Sequence, residues 1–376
     1  MSPLLQQSVF AFFATLMMLI LLAPVGRRLG LVDKPGDRKA HRGDTPLVGG
    51  IALFITLMAG SVLWGGINQT LITLHTSQWH WVFLLCGGFL VVAGALDDRY
   101  QLGVFMRVLS EVVVALFVVD ALNLRVSNLG DLVGQGDIRL PATVSYAFTV
   151  IAIFGVINAF NMLDGVDGLL AGLVVTSLAA FHVFTGTSPG YVSLFIFSSL
   201  LAFLVSNLEL SPYIPKTFLG DSGSKLLGFI VVCLLLAATT SKIGGSRLVA
   251  PATALYIIGL PLFDMTLTTL RRVAKGHSPF AADRQHIHHL LSTLGFSDRR
   301  ALLLLLAMNL SVMFLGLMLH RAGVPARYQL SIFLASFGVY CLVVSHAWRV
   351  ADRLEQLADA MSPSGAARAD AVSGSH

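Results

Sequence analysis

Long apolar runs dominate this chain and restrict what it can fold into. Hydrophobic residues make up 55% of the 376 residues and charged residues only 12%, with a mean hydropathy of +0.78. Such a chain is too apolar for one soluble core and too long for a single membrane span. The runs also lack the inside/outside alternation of membrane β-strands. The sequence therefore predicts an all-α polytopic integral membrane protein.

The apolar runs define about eleven transmembrane helices, since one span takes about 20 mainly apolar residues. They lie roughly at 8–25, 47–66, 81–96, 107–122, 143–159, 169–186, 190–207, 225–241, 249–270, 301–320 and 327–347. The first run lacks a signal-peptide n-region and cleavage site, so we expect it to be retained as an anchor. We expect one transmembrane domain over 1–348 and a cytosolic, disordered tail over 349–376.

Positively charged residues give the orientation. If the first span runs from outside to inside, the loops after odd-numbered spans and the tail hold 19 of the 25 Lys and Arg residues. Because cytoplasmic loops carry an excess of Lys and Arg, these loops and the C-terminus are predicted to be cytosolic.

Four polar stretches interrupt the apolar sequence: LDDR at 96–99, NAFNMLDGVDG at 158–168, FLGDSGS at 218–224 and DRQHIHH at 283–289. Polar clusters at a bilayer are costly and indicate a functional site by default. All four follow odd-numbered spans, so they are predicted to lie on one side. Their grouping indicates a single active site on the cytosolic face.

Asp97 and Asp98 close the third predicted span. Adjacent carboxylates repel each other, and a cation or a proton-bearing substrate would justify the pair. The alternative is a solvated helix end. Arg107 is close enough in sequence to hold a phosphate beside them.

The second stretch places Asn161, Asp164 and Asp167 at three-residue spacing, which puts them along one face if the segment is helical. Gly165 and Gly168 permit close backbone approach or a break in the helix. Hard oxygen ligands in small number suit a Mg²⁺ ion shared with substrate phosphates. A simple helix cap is the competing interpretation.

The third stretch opens the eighth span. Gly220, Ser222 and Gly223 predict a tight turn that presents backbone N–H groups at a helix N-terminus, which favours an anion. Asp221 is either another hard metal ligand or the helix N-cap. Phe218 precedes the turn.

Three histidines, His286, His288 and His289, lie in a basic loop with Arg284. A closed zinc site needs four ligands, and no cysteine is near in sequence. Imidazoles among arginines fit a sugar diphosphate better, through hydrogen bonds and charge. A solvated basic loop would explain the arginines but not the histidines.

The net charge of +5 comes from cytosolic basic loops, including Lys34 and Arg38 in the first loop. We interpret it as affinity for membrane lipids and an anionic substrate rather than nucleic acid, because no soluble domain is present to carry a reading surface. Cys86, Cys233 and Cys341 each lie in an apolar segment and are predicted to be packing residues.

In order, GLVDKPGDRKAHRGDTPLVGG, LDDR, NAFNMLDGVDGLLAG, FLGDSGS and DRQHIHH resemble the polyprenyl-phosphate N-acetylhexosamine-1-phosphate transferases, from about residue 26 to 300. The HIHH form is most similar to the WecA branch. The resemblance implies transfer of GlcNAc-1-phosphate from UDP-GlcNAc to undecaprenyl phosphate with release of UMP. It also implies Mg²⁺ as cofactor, with Mn²⁺ as a substitute.

The resemblance also implies roles. Asn161 and Asp221 would ligate Mg²⁺. Asp167 would accept the uracil N3–H, Phe218 would stack on the ring, and Arg107 would hold the diphosphate, although YQLGVFMR lacks a Lys that relatives often use.

The resemblance makes Asp97, Asp98 and Asp164 the catalytic group, with the aspartate pair facing the lipid phosphate. The other substrate-binding residues would be His286, His288, His289, Arg284, Lys34 and Arg38.

Two other classes remain as alternatives. The run NxxxDGxxD is also found in intramembrane prenyltransferases, but a second DxxxD motif is missing. A secondary transporter would place polar groups near the midplane and show repeat symmetry, which we do not find. The sugar, the polymer pathway and the choice between direct and two-step transfer stay open, and a homodimer is a hypothesis.

The predicted orientation is testable by cysteine labelling with an impermeant reagent on intact cells. Cysteines placed at 35–45, 98–104 or 276–290 should be protected, whereas those at 68–78 or 128–138 should react. Labelling at 276–290 would refute the orientation.

Overall fold

The computed structural model describes residues 2–33, 44–64, 77–240, 242–243, 246–279 and 286–360, with no side chains described at 77–79, 242–243, 246 and 355–360. Within this part the chain is mainly helical. Its helices are α1 (Pro3–Leu29), α2 (Gly49–Trp64), α3 (Ser77–Tyr100), α4 (Val104–Asp120), α5 (Ala142–Met162), α6 (Leu169–Thr185), α7 (Tyr191–Asn207), α8 (Gly220–Thr240), α9 (Pro251–Ala254), α10 (Gly259–Ala274), α11 (Ile287–Thr293), α12 (Asp298–Arg321) and α13 (Ala326–Ala360).

Among the described residues, seven stretches of helix are long and apolar enough to cross a membrane: α1, α3, α5, α8, α12, α13 and the run Pro251–Ala274, in which a 3-10 helix joins α9 to α10. Three shorter apolar helices, α2, α6 and α7, accompany them. Each predicted span overlaps a helix. The all-α membrane fold is therefore confirmed, while the count of eleven spans stays a prediction.

Helix α8 lies at the centre of the bundle. In its most apolar window 94% of the residues are buried, against 22% in α12 and 17% in α13. It packs against α2, α3 and α5. Gly50 and Gly94 lie against the backbone of Gly223 and Ser222, where a Cβ atom would overlap. Small residues thus let α2 and α3 approach the first turn of α8 closely.

Two short antiparallel hairpins accompany the helices in the part of the chain that the structure describes. In the first, β1 (Val32–Asp33) pairs antiparallel with β2 (Thr45–Pro46), and in the second, β3 (Lys242–Ile243) pairs with β4 (Ser246–Arg247). The first hairpin is tied to the approach of α8, because the Phe218 N–H donates to the Pro46 carbonyl at 2.9 Å. Strand β2 therefore borders the segment that leads into α8.

The predicted tail begins too early. Residues 349–360 continue helix α13, and Ala351 is buried, so contact with the bundle extends beyond the predicted boundary. The remaining residues of the predicted tail, 361–376, lie outside the described part of the chain.

Candidate active site

The predicted site residues meet at one end of the bundle, around a cavity of about 1710 Å³. Segments that follow α1, α3, α5, α7 and α10 all border it. The cavity is lined by Asp97, Asp98, Arg107, Asn161, Asp164, Asp167, Phe218, Asp221, His286, His288 and His289. Lys34, Arg38 and Arg284 lie outside the described residues. All the other site residues predicted from the sequence line this cavity.

Asp98 connects α3 to the beginning of α8. Its Oδ1 accepts the Asp221 N–H at 3.0 Å, and its Oδ2 lies 3.5 Å from the Ser222 nitrogen. The first N–H groups of a helix have no partner within the helix, so this carboxylate caps α8 from outside. Gly220 has a φ of +68°, and a Cβ there would overlap the Asp98 carboxylate. Glycine is therefore required at this turn.

The Asp97 side chain contacts a different set of groups from the Asp98 side chain. Only 6% of its side chain is exposed, and its Oδ2 lies 3.4 Å from Lys225 Nζ and 3.7 Å from Arg107 Nε. Arg107 is 42% exposed and lines the cavity. The two adjacent aspartates thus have separate partners. In the contacts that the structure describes, Asp97 is paired with cationic side chains and Asp98 with backbone N–H groups.

Lys225 is a buried cation that the sequence interpretation missed. Its side chain is 2% exposed, and its Nζ also lies 3.5 Å from Glu111 Oε1 and 3.9 Å from Asp221 Oδ2. The Asn158 amide donates to Glu111 Oε2 at 2.5 Å. A charged residue within an apolar span is the sequence signal that would have revealed this network.

Asn161 and Asp221 lie side by side on the cavity wall. The Asn161 amide nitrogen donates to Asp221 Oδ1 at 3.0 Å and to Ser224 Oγ at 2.7 Å. In the described part of the chain no three His, Cys, Asp or Glu residues are grouped as metal ligands. An amide and a carboxylate in contact fit Mg²⁺, which takes few protein ligands and completes its shell with water and phosphate oxygens.

Asp164 reaches into the cavity from the turn between α5 and α6. Its side chain is exposed to the cavity, while the surrounding protein reduces its hydration relative to bulk water. This desolvation, followed by the charges of Asp221, Asp98 and Asp167, raises the pKa of Asp164 to about 8. A cation or cationic group bound in the cavity would favour the ionised form.

Asp167 has a cationic partner that the sequence did not reveal. Lys216 Nζ lies 2.7 Å from Asp167 Oδ2, 2.8 Å from Glu209 Oε1 and 5.6 Å from the centre of the Phe218 ring. Burial lowers the Lys216 pKa, but the hydrogen bonds to Asp167 and Glu209 outweigh it and the pKa is raised. Lys216 stands two positions before Phe218, outside the polar run that we singled out.

His286 and His288 occupy different environments. The His286 Nδ1 lies 2.7 Å from a carboxylate oxygen of Asp264, on α10. The His288 ring lies against Gly165, where a Cβ would overlap it. Burial, followed by the neighbouring His289 and His286, lowers the pKa of His288 to about 3, so this ring is neutral.

Comparisons with known proteins find one family profile and similar proteins that cover most of the chain. A profile described as Glycosyl transferase family 4 matches residues 80–239. A protein of Escherichia coli O157:H7 named undecaprenyl-phosphate alpha-N-acetylglucosaminyl 1-phosphate transferase is 38% identical over 349 residues, which cover 92% of this chain and 91% of the relative. Proteins with the same name from Yersinia pestis (36% identity; 91% of this chain, 92% of the relative) and Haemophilus influenzae (34%; 90% and 93%) are also similar.

The cap from Asp98 predicts that this residue stabilises the fold as well as serving the site. Asp98→Asn keeps one side-chain oxygen that can accept an N–H group of α8, whereas Asp98→Ala removes both side-chain oxygens. We therefore expect Asp98→Ala, but not Asp98→Asn, to lower the unfolding free energy by about 1–2 kcal/mol. Thermal unfolding of the two ligand-free variants in detergent checks this. Equal stabilities would contradict the cap.

Proposed function

Because this chain belongs to the glycosyl transferase family 4, together with the undecaprenyl-phosphate alpha-N-acetylglucosaminyl 1-phosphate transferases, we propose that it transfers GlcNAc-1-phosphate from UDP-GlcNAc to undecaprenyl phosphate. UMP is released. The family resemblance of the motifs is confirmed by these relatives. The observation that carries the proposal is the convergence of the described motif residues on one cavity.

The cavity suits two substrates. Its volume of about 1710 Å³ exceeds the roughly 300–1,000 Å³ of a pocket for one small ligand. At one part of its wall Phe218 offers an aromatic face, with Asp167 and Lys216 beside it as acceptor and donor. This part is proposed to hold the uracil. Arg107 and the histidines are proposed to hold the diphosphate and the sugar.

We propose Asn161 and Asp221 as the protein ligands of Mg²⁺, with Mn²⁺ as a substitute. The ion would neutralise diphosphate charge that builds up as the nucleotide leaves. The chain supplies an amide and a carboxylate in contact with each other, and Lys225 Nζ lies 3.9 Å from Asp221 Oδ2.

The proposed reaction is direct. An oxygen of the lipid phosphate attacks the phosphorus that bears the sugar, the bond from that phosphorus to the bridging oxygen breaks, and UMP leaves with that oxygen. A two-step route would need an aspartate nucleophile. Asp98 is held by two backbone nitrogens and Asp97 by Lys225 and Arg107. Because both aspartates already have these partners, we propose that they orient the acceptor phosphate and that neither acts as a nucleophile.

We propose that the site faces the cytosol from the bacterial inner membrane, with the C-terminus also cytosolic. The charge asymmetry of the loops supports this orientation. The product would be the first lipid-linked intermediate of a surface polysaccharide such as O-antigen. A homodimer remains a hypothesis.

A transfer assay tests the function. The purified protein, undecaprenyl phosphate and a panel of radiolabelled UDP-sugars should give labelled lipid with UDP-GlcNAc and release UMP in equal amount. Transfer from another UDP-N-acetylhexosamine alone would replace the sugar assignment. Release of inorganic diphosphate from an isoprenoid substrate would instead support the prenyltransferase alternative.

Metal removal gives a second outcome in the same assay. EDTA should stop transfer, and Mg²⁺ or Mn²⁺ should restore it. Asp221→Asn and Asn161→Ala should abolish transfer in folded protein, because the loss of a hard ligand weakens neutralisation of the diphosphate. Asp137→Asn, which removes a carboxylate outside the cavity, is the control. Full activity in chelator would exclude the metal.

Nucleotide binding and turnover should separate by residue. Asp167→Ala and Phe218→Ala remove a hydrogen bond or a ring contact and should weaken UDP-GlcNAc binding by roughly 5- to 150-fold. Asp97→Asn and Asp98→Asn should mainly lower kcat, by about 10²–10⁴. Steady-state kinetics and calorimetry distinguish the two pairs. Lost nucleotide affinity with normal turnover in both aspartate variants would contradict their assignment to the acceptor.

A further inference from the structure

Asp264 is a carboxylate within an apolar span that none of the motifs includes. It lies on α10, is only 2% exposed, and accepts hydrogen bonds from groups on two other parts of the chain. Its Oδ2 lies 2.7 Å from His286 Nδ1, while its Oδ1 accepts the Ile287 N–H at 2.9 Å and the Tyr340 hydroxyl at 3.0 Å. The carboxylate therefore links α10 to the start of α11 and to α13.

A second residue of α10 holds the chain before the histidines. Arg272 is 4% exposed, and its Nη1 donates to the Pro279 carbonyl at 2.9 Å. Its Nη2 lies 3.4 Å from His286 Nε2. Helix α10 thus contacts the chain both at Pro279 and at His286.

These contacts decide where the proton of His286 lies. An ionised carboxylate only accepts hydrogen bonds, so the nitrogen that faces Asp264 carries the proton. In the neutral ring Nε2 is then an acceptor, and the nearby Arg272 guanidinium, which only donates, is compatible with that. The ring of His286 is parallel to that of His288, with centroids 5.9 Å apart, and both line the cavity.

We propose that Asp264 is the positioning residue of the histidine segment: it holds His286 as the Nδ1–H tautomer and fixes where α11 begins, so that the imidazoles face the sugar-phosphate part of the cavity. This inference rests on the proposed function for its kinetic test only. Asp264 does not line the cavity and acts through His286.

The kinetic test is a double-mutant cycle on the full-length protein in detergent. Asp264→Asn replaces the acceptor by an amide of the same shape, and it should lower kcat/KM for UDP-GlcNAc by roughly 10- to 150-fold, the effect of one buried charge-assisted hydrogen bond. His286→Ala should lower it similarly. The double variant should be no worse than His286→Ala within about 2-fold, because both changes remove one interaction. Effects that multiply would overturn the proposal.

Tyr340→Phe is the matched control. It removes a donor to the same carboxylate but leaves the contact with His286. We expect it to lower the thermal unfolding midpoint while changing kcat/KM less than 3-fold. If Tyr340→Phe and Asp264→Asn reduced kcat/KM equally, Asp264 would only stabilise the fold and the proposal would fail.

The tautomer itself is measurable on the wild-type protein, even if Asp264→Asn does not fold or UDP-GlcNAc is not the substrate. With ¹⁵N-labelled histidine and His286→Asn to assign the signal, the His286 Nδ1 should appear protonated and hydrogen-bonded. A signal of the Nε2–H tautomer would overturn the proposal. Absence of transfer by the wild type with this tautomer present would contradict the proposed function alone.

Discussion

The structure depends on the pairing of a positive charge inside the helical bundle. Lys225 is almost completely buried in α8, and its Nζ lies within 4 Å of carboxylate oxygens from α3, α4 and its own helix. An unpaired charge in such an environment is far more costly than an unpaired surface charge. The pairing therefore requires Asp97, Glu111 and Asp221 to stay together, and with them the ends of the helices that border the cavity.

Two kinds of contact hold the groups that border the cavity. The groups on α3 and α8 are fixed by Lys225, by the cap from Asp98 and by the close helix contacts at Gly50 and Gly94. The connecting segments that carry Asp167 and Lys216 are joined through the last residue of α7: the Asn207 side chain accepts the Gly168 N–H at 2.6 Å and donates to the Thr217 carbonyl at 3.0 Å. Both kinds of contact fix the positions of side chains, which matters because small displacements of reacting groups reduce the rate strongly.

Much of this arrangement is predictable from the sequence. The residues and the boundary that the sequence analysis missed were missed for identifiable physical reasons. Apolar runs locate helices well because a span must be continuous, and the clustered polar motifs identify the cavity residues. Lys225, Glu111 and Asp264 were missed because each is a single charge inside an apolar run. Their partners come from distant parts of the chain, and spacing along one helix does not reveal them. The tail boundary failed because composition does not show that residues beyond 349 continue a packed helix.

The two positioning carboxylates of the site use the same physical device. Asp98, from α3, receives backbone N–H groups at the beginning of α8, and Asp264, from α10, receives the Ile287 N–H at the beginning of α11. In both cases a negative charge from a neighbouring helix meets the unpaired donors and the positive end of a helix dipole. Each carboxylate thereby sets the start of a helix whose first residues line the cavity. The start of each helix therefore also sets the position of groups that line the cavity, so a substitution that removes both acceptor oxygens, such as Asp98→Ala, should displace those groups.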